Sequence, residues 1–124
     1  MLFFDLFRKD PNLVTVASGE PLCTEGEEGA VMFVLLSGTA EIRSGACVLE
    51  ELGAGSIVGE MGVIEPGPRS ATVRALTDCT FAVIDRERFD FLVRDTPQFA
   101  VDVMTVMARR MRQCDAMLKT QGVC

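Results

Sequence analysis

Short apolar segments separated by glycine-containing turns run from about residue 13 to residue 85. Residues 39–43 alternate between apolar and polar side chains, which predicts a strand with one buried face. Residues 31–36 are continuously apolar, which predicts a fully buried strand. Three further segments with turn signals beside them also predict strands: residues 47–52, 72–75 and 80–84. Many short strands at such spacing are typical of a β-sandwich or a jelly-roll barrel.

The pattern becomes helical after residue 85. Residues 86–93 predict a short helix with Asp85 as its N-cap, and Pro97 predicts the first turn of a second helix that ends near residue 120. The apolar side chains that follow one face of this second helix are Val103, Met107, Met111, Cys114 and Leu118. We expect this face to be buried against the barrel, against a second copy of the chain, or over a ligand.

Composition limits the classes of function. A chain of 124 residues that is 48% hydrophobic suits one domain with its own core. The net charge is −6 and there is no basic stripe, which argues against direct binding of DNA or RNA. The longest apolar run, residues 31–36, is too short to cross a bilayer, and the first residues lack the basic flank of a signal peptide. We expect a cytoplasmic protein without membrane insertion.

The reactive residue types argue against catalysis. The chain has no histidine, and its five cysteines are scattered rather than paired at two-residue spacing. No paired carboxylates stand out either, so neither a metal site nor an active site is expected, and the protein is predicted not to be an enzyme. The cysteines are expected to be free thiols in a reducing compartment.

The most informative segment, residues 58–73, is rich in glycine and holds one arginine and two acidic residues. Gly59 allows close approach of a ligand to the backbone, and Glu60 begins a stretch that could form one helical turn. Arg69 presents a planar fork of donors that matches two phosphate oxygens. Ser70 and the Ala71 N–H add two more donors, while Glu60 is an acceptor suited to a sugar hydroxyl. An acid and an arginine on two sides of one loop can hold a sugar phosphate between them.

The same residues carry a resemblance to a known family. Gly59-Glu60, followed by Pro68-Arg69-Ser70-Ala71 with the acid and the arginine nine positions apart, resembles the phosphate-binding cassette of the cyclic-nucleotide-binding domain family. The similarity extends over nearly the whole chain. Other segments that resemble the family are Glu25-Gly26, Leu36-Ser37-Gly38 and Leu52-Gly53-Ala54-Gly55, and residues 107–111 resemble the hinge helix of bacterial catabolite-activator-type regulators.

The resemblance implies a mainly β fold with flanking helices, namely a β-roll (a double-stranded β-helix jelly roll) with C-terminal helices. Residues 1–124 would form a single domain. Its parts would be an N-terminal helix at about residues 1–12, a β-roll at residues 13–85 with the cassette at residues 58–73, and C-terminal helices at residues 86–120.

The resemblance also implies roles for individual residues. Arg69 would bind the cyclic phosphate together with Ser70 and the Ala71 N–H, and Glu60 would accept from the ribose 2′-hydroxyl beside the Gly59 backbone. The residues that would line the pocket near the sugar and the purine are Val58, Met61 and Val73. The candidate purine contacts from the last helix are Arg110, Cys114 and Asp115.

The expected function is therefore binding of a cyclic nucleotide, cAMP in preference to cGMP, by a regulatory or sensor module whose C-terminal helix moves. No cofactor is expected. Two alternatives stay open: an interaction or dimerisation domain that keeps the fold without a ligand, and the sensor fragment of a longer transcription regulator or channel. The expected protein partner is a second copy bound through the C-terminal helix, or another protein not identifiable from the residues.

Overall fold

A computed structural model describes residues 6–7 and 9–119, with side chains described as far as Ala116. It contains ten strands, which are β1 (Leu13–Val16), β2 (Pro21–Cys23), β3 (Glu28–Gly29), β4 (Met32–Ser37), β5 (Ala40–Ser44), β6 (Cys47–Leu52), β7 (Ile57–Val58), β8 (Gly67–Pro68), β9 (Thr72–Ala75) and β10 (Cys79–Ile84). The helices are α1 (Glu60–Ile64), α2 (Arg86–Asp95) and α3 (Pro97–Lys119).

The strands form a roll of two facing antiparallel sheets. One four-stranded sheet has the order β1-β10-β4-β7, and the other has the order β2-β9-β5-β6. A third, two-stranded ladder joins β3 to β8 and brings Gly29 opposite Gly67. This ladder matters for the site, because it lays the turn before β3 against the loop that carries Arg69.

Strand β4 is apolar on both faces because it separates two cores. Phe33 and Leu35 point into the roll, where they join a cluster that includes Val58, Val73 and Phe81. Met32 and Val34 point the other way, into a cluster that the helices cover. The continuous apolar run seen in the sequence follows from this double burial.

The helices cover the outer face of the first sheet. Asp85 caps α2, because its side chain accepts a hydrogen bond from the Arg88 N–H at 2.9 Å, as its position predicts. At the start of α3, Phe99 is fully buried and meets the rings of Phe7 and Phe89 edge-on, at centroid distances of 6.2 and 5.6 Å. This aromatic cluster fixes the first turns of α3 on the roll.

The predicted apolar face of α3 is only partly buried. Val103 is buried and Met107 packs against the same core, but Met111 and Cys114 are exposed. The side chain of Leu118 lies outside the described residues. The apolar contacts of the helix with the roll therefore end at about its middle.

The structure confirms the strands and helices that the pattern predicts, with bounds that differ by one or two residues. The short strands β1, β2, β3, β7 and β8 have no counterpart among those predictions. Four of them have only two or three residues, too few to carry a period. Of the N-terminal helix expected at residues 1–12, Leu6 and Phe7 are helical, and residues 1–5 and 8 lie outside the described part.

The expectation of free thiols is wrong for one cysteine. Cys47, at the start of β6, is disulfide-bonded, whereas Cys23, Cys79 and Cys114 are free. Cys124 lies outside the described residues. Within the described part of the chain, no cluster of side chains is suited to a metal ion, and no helix is both long and apolar enough to cross a membrane.

Candidate functional site

The loop after β7 begins with a glycine that its geometry requires. Gly59 has φ 76°, in the left-handed region, and precedes α1. A Cβ at this position would lie 2.7 Å from Nη1 of Arg69 and 2.9 Å from the Val31 carbonyl oxygen. A larger residue would thus be strained and would displace the guanidinium. Gly59 therefore allows Arg69 to lie directly against the backbone beside Glu60.

The backbone of Arg69 is held on both sides by the turn before β3. Its N–H donates to the Glu27 carbonyl, and its carbonyl accepts from the Gly26 N–H, both at 2.8 Å. These two bonds continue the β3–β8 ladder by one residue. The turn at Glu25-Gly26, which resembles the family in sequence, therefore supports the backbone of Arg69.

The guanidinium of Arg69 lies in a cradle formed by three glycines, which we call the glycine cradle: Gly29, Gly59 and Gly62. A Cβ at Gly29 would lie 2.0 Å from Nε, and one at Gly62 would lie 2.9 Å from Nη1. The ring of Phe33 lies 5.7 Å from the guanidinium carbon, within range of a cation–π contact. Nε and Nη1 are buried and have no hydrogen-bond partner in the described part of the chain. Buried donors of this kind normally have a partner, so these two atoms are donors that an anionic ligand would satisfy.

Glu60 supplies the opposite charge and is 5% exposed. Its Oε1 accepts a hydrogen bond from Nη1 of Arg110 at 2.8 Å. Its Oε2 is buried and has no partner among the described residues. One oxygen is thus held by the last helix, and the other is an acceptor without a donor.

Arg110 links α3 to three other elements. Besides Glu60 in α1, it donates from Nε to Glu50 in β6 at 3.0 Å and from Nη2 to the Ile57 carbonyl in β7 at 2.7 Å. Burial by itself would lower the pKa of Arg110, but the hydrogen bond to Glu50 and the charges of both carboxylates outweigh it and raise the pKa above its ordinary value. Arg110 is therefore charged and held in one orientation by these contacts.

The structure places the remaining predicted residues in three environments. Val58 and Val73 are buried inside the roll, in the same cluster as Phe33, whose ring contacts the guanidinium of Arg69. Ala71 is half-buried. The other four predicted positions are exposed, namely Met61, Ser70, Cys114 and Asp115. The fold thus joins Glu60 to Arg110 by an ion pair and holds Arg69 against the backbone of Gly59, the residue before Glu60.

Four contributors to the site were not among the predicted site residues: Gly62 within the cassette, and Glu50, Gly29 and Phe33 outside it. Glu50 carried a detectable signal, since it lies two residues before the buried Leu52 in the predicted strand and so shares its inward face. A carboxylate on an inward position of a strand needs a partner, which is Arg110. Gly29 and Phe33 reach Arg69 only through the fold and had no local signal.

A family profile and several known proteins match this chain. The family profile described as "Cyclic nucleotide-binding domain" matches residues 13–96. A CRP-like cAMP-activated global transcriptional regulator of Mycobacterium tuberculosis is 27% identical over 100 residues, which are 77% of this chain and 45% of that protein. A cyclic nucleotide-gated potassium channel of Rhizobium etli is 34% identical over 96 residues, 77% of this chain and 27% of the channel.

The fold comparison gives the same result. The crystal structure of the Thermus thermophilus catabolite activator protein matches with a TM-score of 0.79 and 28% identity, over 89% of this chain and 54% of that one. The chain spans less than half the length of the two curated relatives named above. Its β-roll, its cassette and the family profile over residues 13–96 together show that this chain belongs to the cyclic nucleotide-binding domain family.

Proposed function

We propose that this domain binds a cyclic nucleotide, with cAMP preferred to cGMP, and acts as a regulatory module rather than an enzyme. The observation that carries the proposal is the pair of buried donors of Arg69, Nε and Nη1, which lack partners in the described part of the chain. They lie in the glycine cradle, where the absence of a Cβ at all three positions leaves room for the guanidinium. A cyclic phosphate would satisfy both donors at once.

The acidic side of the cassette supports a sugar rather than a bare phosphate. Glu60 is buried with Oε1 occupied by Arg110 and Oε2 without a described partner. A ribose 2′-hydroxyl can donate to Oε2 without displacing Arg110. Since unsatisfied buried carboxylate oxygens are unfavourable, the hydroxyl would remove an existing penalty. Ser70 and the Ala71 N–H would then be further donors to the phosphate, and Val58, Met61 and Val73 the apolar lining.

The preference for cAMP rests on relatives. The regulator of Mycobacterium tuberculosis described above is by its name activated by cAMP, and the resemblance of the last helix is to the same class of regulators. The link from the site to α3 runs through Arg110, which contacts Glu60 directly. Movement of α3 on binding is the proposed output. Cys114 and Asp115, on the exposed part of this helix, are the proposed purine contacts.

The binding proposal is tested by thermal unfolding with cAMP, cGMP and 5′-AMP. A ligand that binds only the folded state at about 100 times its Kd stabilises it by about 2.7 kcal/mol. We expect a clear rise of Tm with cAMP, a smaller rise with cGMP and none with 5′-AMP at the same concentration. No rise with either cyclic nucleotide would refute the proposal.

The ribose contact is tested by Glu60→Gln with cAMP and with 2′-deoxy-cAMP. A hydrogen bond to a charged group contributes about 1.5–3 kcal/mol, so the wild type should bind 2′-deoxy-cAMP roughly tenfold or more weakly than cAMP. Glu60→Gln should lose most of this discrimination. Glu65→Gln, which removes an exposed charge from the same loop, is the matched control and should keep it. Equal discrimination in both variants would place the 2′-hydroxyl elsewhere.

A second candidate function is assembly of two copies through α3. Val101, Met104 and Met111 are large apolar side chains exposed along this helix, and such side chains are common at interfaces between protein chains. Sedimentation of the wild type and of Met111→Glu, with and without cAMP, tests it. A concentration-dependent dimer that Met111→Glu abolishes supports the candidate, and a monomer at every concentration rejects it.

A further inference from the structure

Glu50 is an acidic residue on a strand position that faces the interior. In the β5–β6 ladder it lies opposite Ile42, and Leu52 on the same side lies opposite Ala40. Its neighbour Glu51 lies on the other face and is exposed. The side chain of Glu50 is 29% exposed, so its charge is partly withdrawn from water and has to be compensated within the protein.

Arg110 compensates the charge of Glu50 and contacts both oxygens of its carboxylate. Oε1 of Glu50 lies 3.0 Å from Nε, and Oε2 lies 3.4 Å from Nη2. This occupies the side of the guanidinium that faces β6. The opposite nitrogen, Nη1, is thereby directed at Oε1 of Glu60, at 2.8 Å. A guanidinium is planar and rigid, so its contact with Glu50 sets the direction of its contact with Glu60.

The contact between Glu50 and Arg110 affects Oε2 of Glu60. Without Glu50, Arg110 would keep its ion pair with Glu60 and the bond from Nη2 to the Ile57 carbonyl at 2.7 Å. That carbonyl is a single neutral acceptor for one nitrogen, so the guanidinium could turn about it to hold both oxygens of Glu60, because arginine forms bidentate pairs with carboxylates readily. With Glu50 engaged, Arg110 takes only Oε1 and leaves Oε2 without a described partner. Glu50, together with the Ile57 carbonyl, thus holds Arg110 in the orientation that leaves Oε2 of Glu60 unoccupied.

We propose that Glu50 is a positioning residue for nucleotide binding, which orients Arg110 so that one oxygen of Glu60 stays available and α3 stays tied to the site. This inference rests on the proposed function. Glu50 does not itself touch the nucleotide. It acts through Arg110, and its contacts join β6 to α3 and, through Arg110, to α1.

The experiment compares the wild type with Glu50→Gln and with Glu51→Gln, which removes the same charge from the adjacent exposed position. Hydrogen exchange without ligand should be faster in residues 106–116 of Glu50→Gln, and unchanged there in Glu51→Gln. By calorimetry, Glu50→Gln should bind cAMP roughly three- to tenfold more weakly, the range expected for a residue that acts through another one. Glu51→Gln should bind like the wild type.

A double-variant cycle separates positioning from a general loss of structure. In an Arg110→Gln background, Glu50→Gln should cause no further loss of cAMP affinity, since the residue through which it acts is already gone. The same loss in both backgrounds overturns the proposal, and so does a change of exchange in α3 without a change of affinity. If the wild type binds cAMP and Glu50→Gln matches Glu51→Gln, Glu50 has no such role while the proposed function stands. If the wild type binds no cyclic nucleotide, the proposed function fails and this inference fails with it.

Discussion

Replacing Gly29 by alanine should weaken nucleotide binding while leaving the fold intact. The backbone of Gly29 is not in the left-handed region, so alanine is compatible with its conformation. The added Cβ would lie 2.0 Å from Nε and 2.2 Å from Cζ of Arg69, whereas ordinary contact begins at 3.4 Å. The guanidinium must therefore withdraw by about 1.4 Å, the difference between 3.4 and 2.0 Å. A hydrogen bond of about 2.9 Å to a phosphate oxygen does not survive such a displacement.

The size of the effect follows from the donors that are lost. One hydrogen bond to a charged group contributes about 1.5–3 kcal/mol, which corresponds to roughly ten- to a hundredfold in Kd. Calorimetric titration with cAMP measures this. The matched control is Gly67→Ala, the position opposite Gly29 in the β3–β8 ladder, where an added Cβ meets nothing within 4 Å. Gly67→Ala should bind like the wild type. Unchanged affinity in Gly29→Ala would refute the cradle as the place that holds the guanidinium during binding.

Two further predictions concern stability. Asp85→Ala removes the acceptor of the Arg88 N–H at the start of α2 and should lower the free energy of unfolding by about 1 kcal/mol, visible as a lower Tm with cAMP affinity unchanged; an unaltered Tm would show that the cap contributes nothing. Burial raises the pKa of the Cys23 thiol above 9.0, although the charge of Arg69 opposes the shift. The folded state thus favours the protonated thiol, so its contribution to stability is complete below pH 9.0 and is lost as the pH rises through the pKa of the folded state. Urea unfolding at about pH 8 and about pH 10 should show a smaller decline in Cys23→Ala than in the wild type, and equal declines would contradict this.

The candidate site was predictable from sequence where its parts are local. Glu60 and Arg69 lie in one loop, so their spacing and the glycines around them were enough to indicate a sugar-phosphate site. The strand positions of β4, β5, β6, β9 and β10 followed from alternation and apolar runs of four to six residues.

The remaining parts depend on contacts between distant segments. Gly29 reaches the side chain of Arg69 only because β3 pairs with β8, and a two-residue strand has no detectable period. Arg110 stays a candidate purine contact by its position in the last helix, but its contacts with β6, β7 and α1 could not be predicted from that position. The packing of residues such as Phe99 and Val103 determines where α3 crosses the sheet. The hydrophobic pattern alone does not specify that crossing.

The central claim is that the two buried donors of Arg69 bind the phosphate of a cyclic nucleotide. Calorimetric titration of cAMP into the wild type, Arg69→Ala and Arg94→Ala tests it most directly, because Arg94 is an exposed arginine in α2 and gives the same change of charge. Loss of a bidentate charged contact should weaken binding in Arg69→Ala by about ten- to a thousandfold, with Arg94→Ala like the wild type and the Tm of both ligand-free variants close to that of the wild type. Equal cAMP affinity in Arg69→Ala and the wild type would contradict the claim.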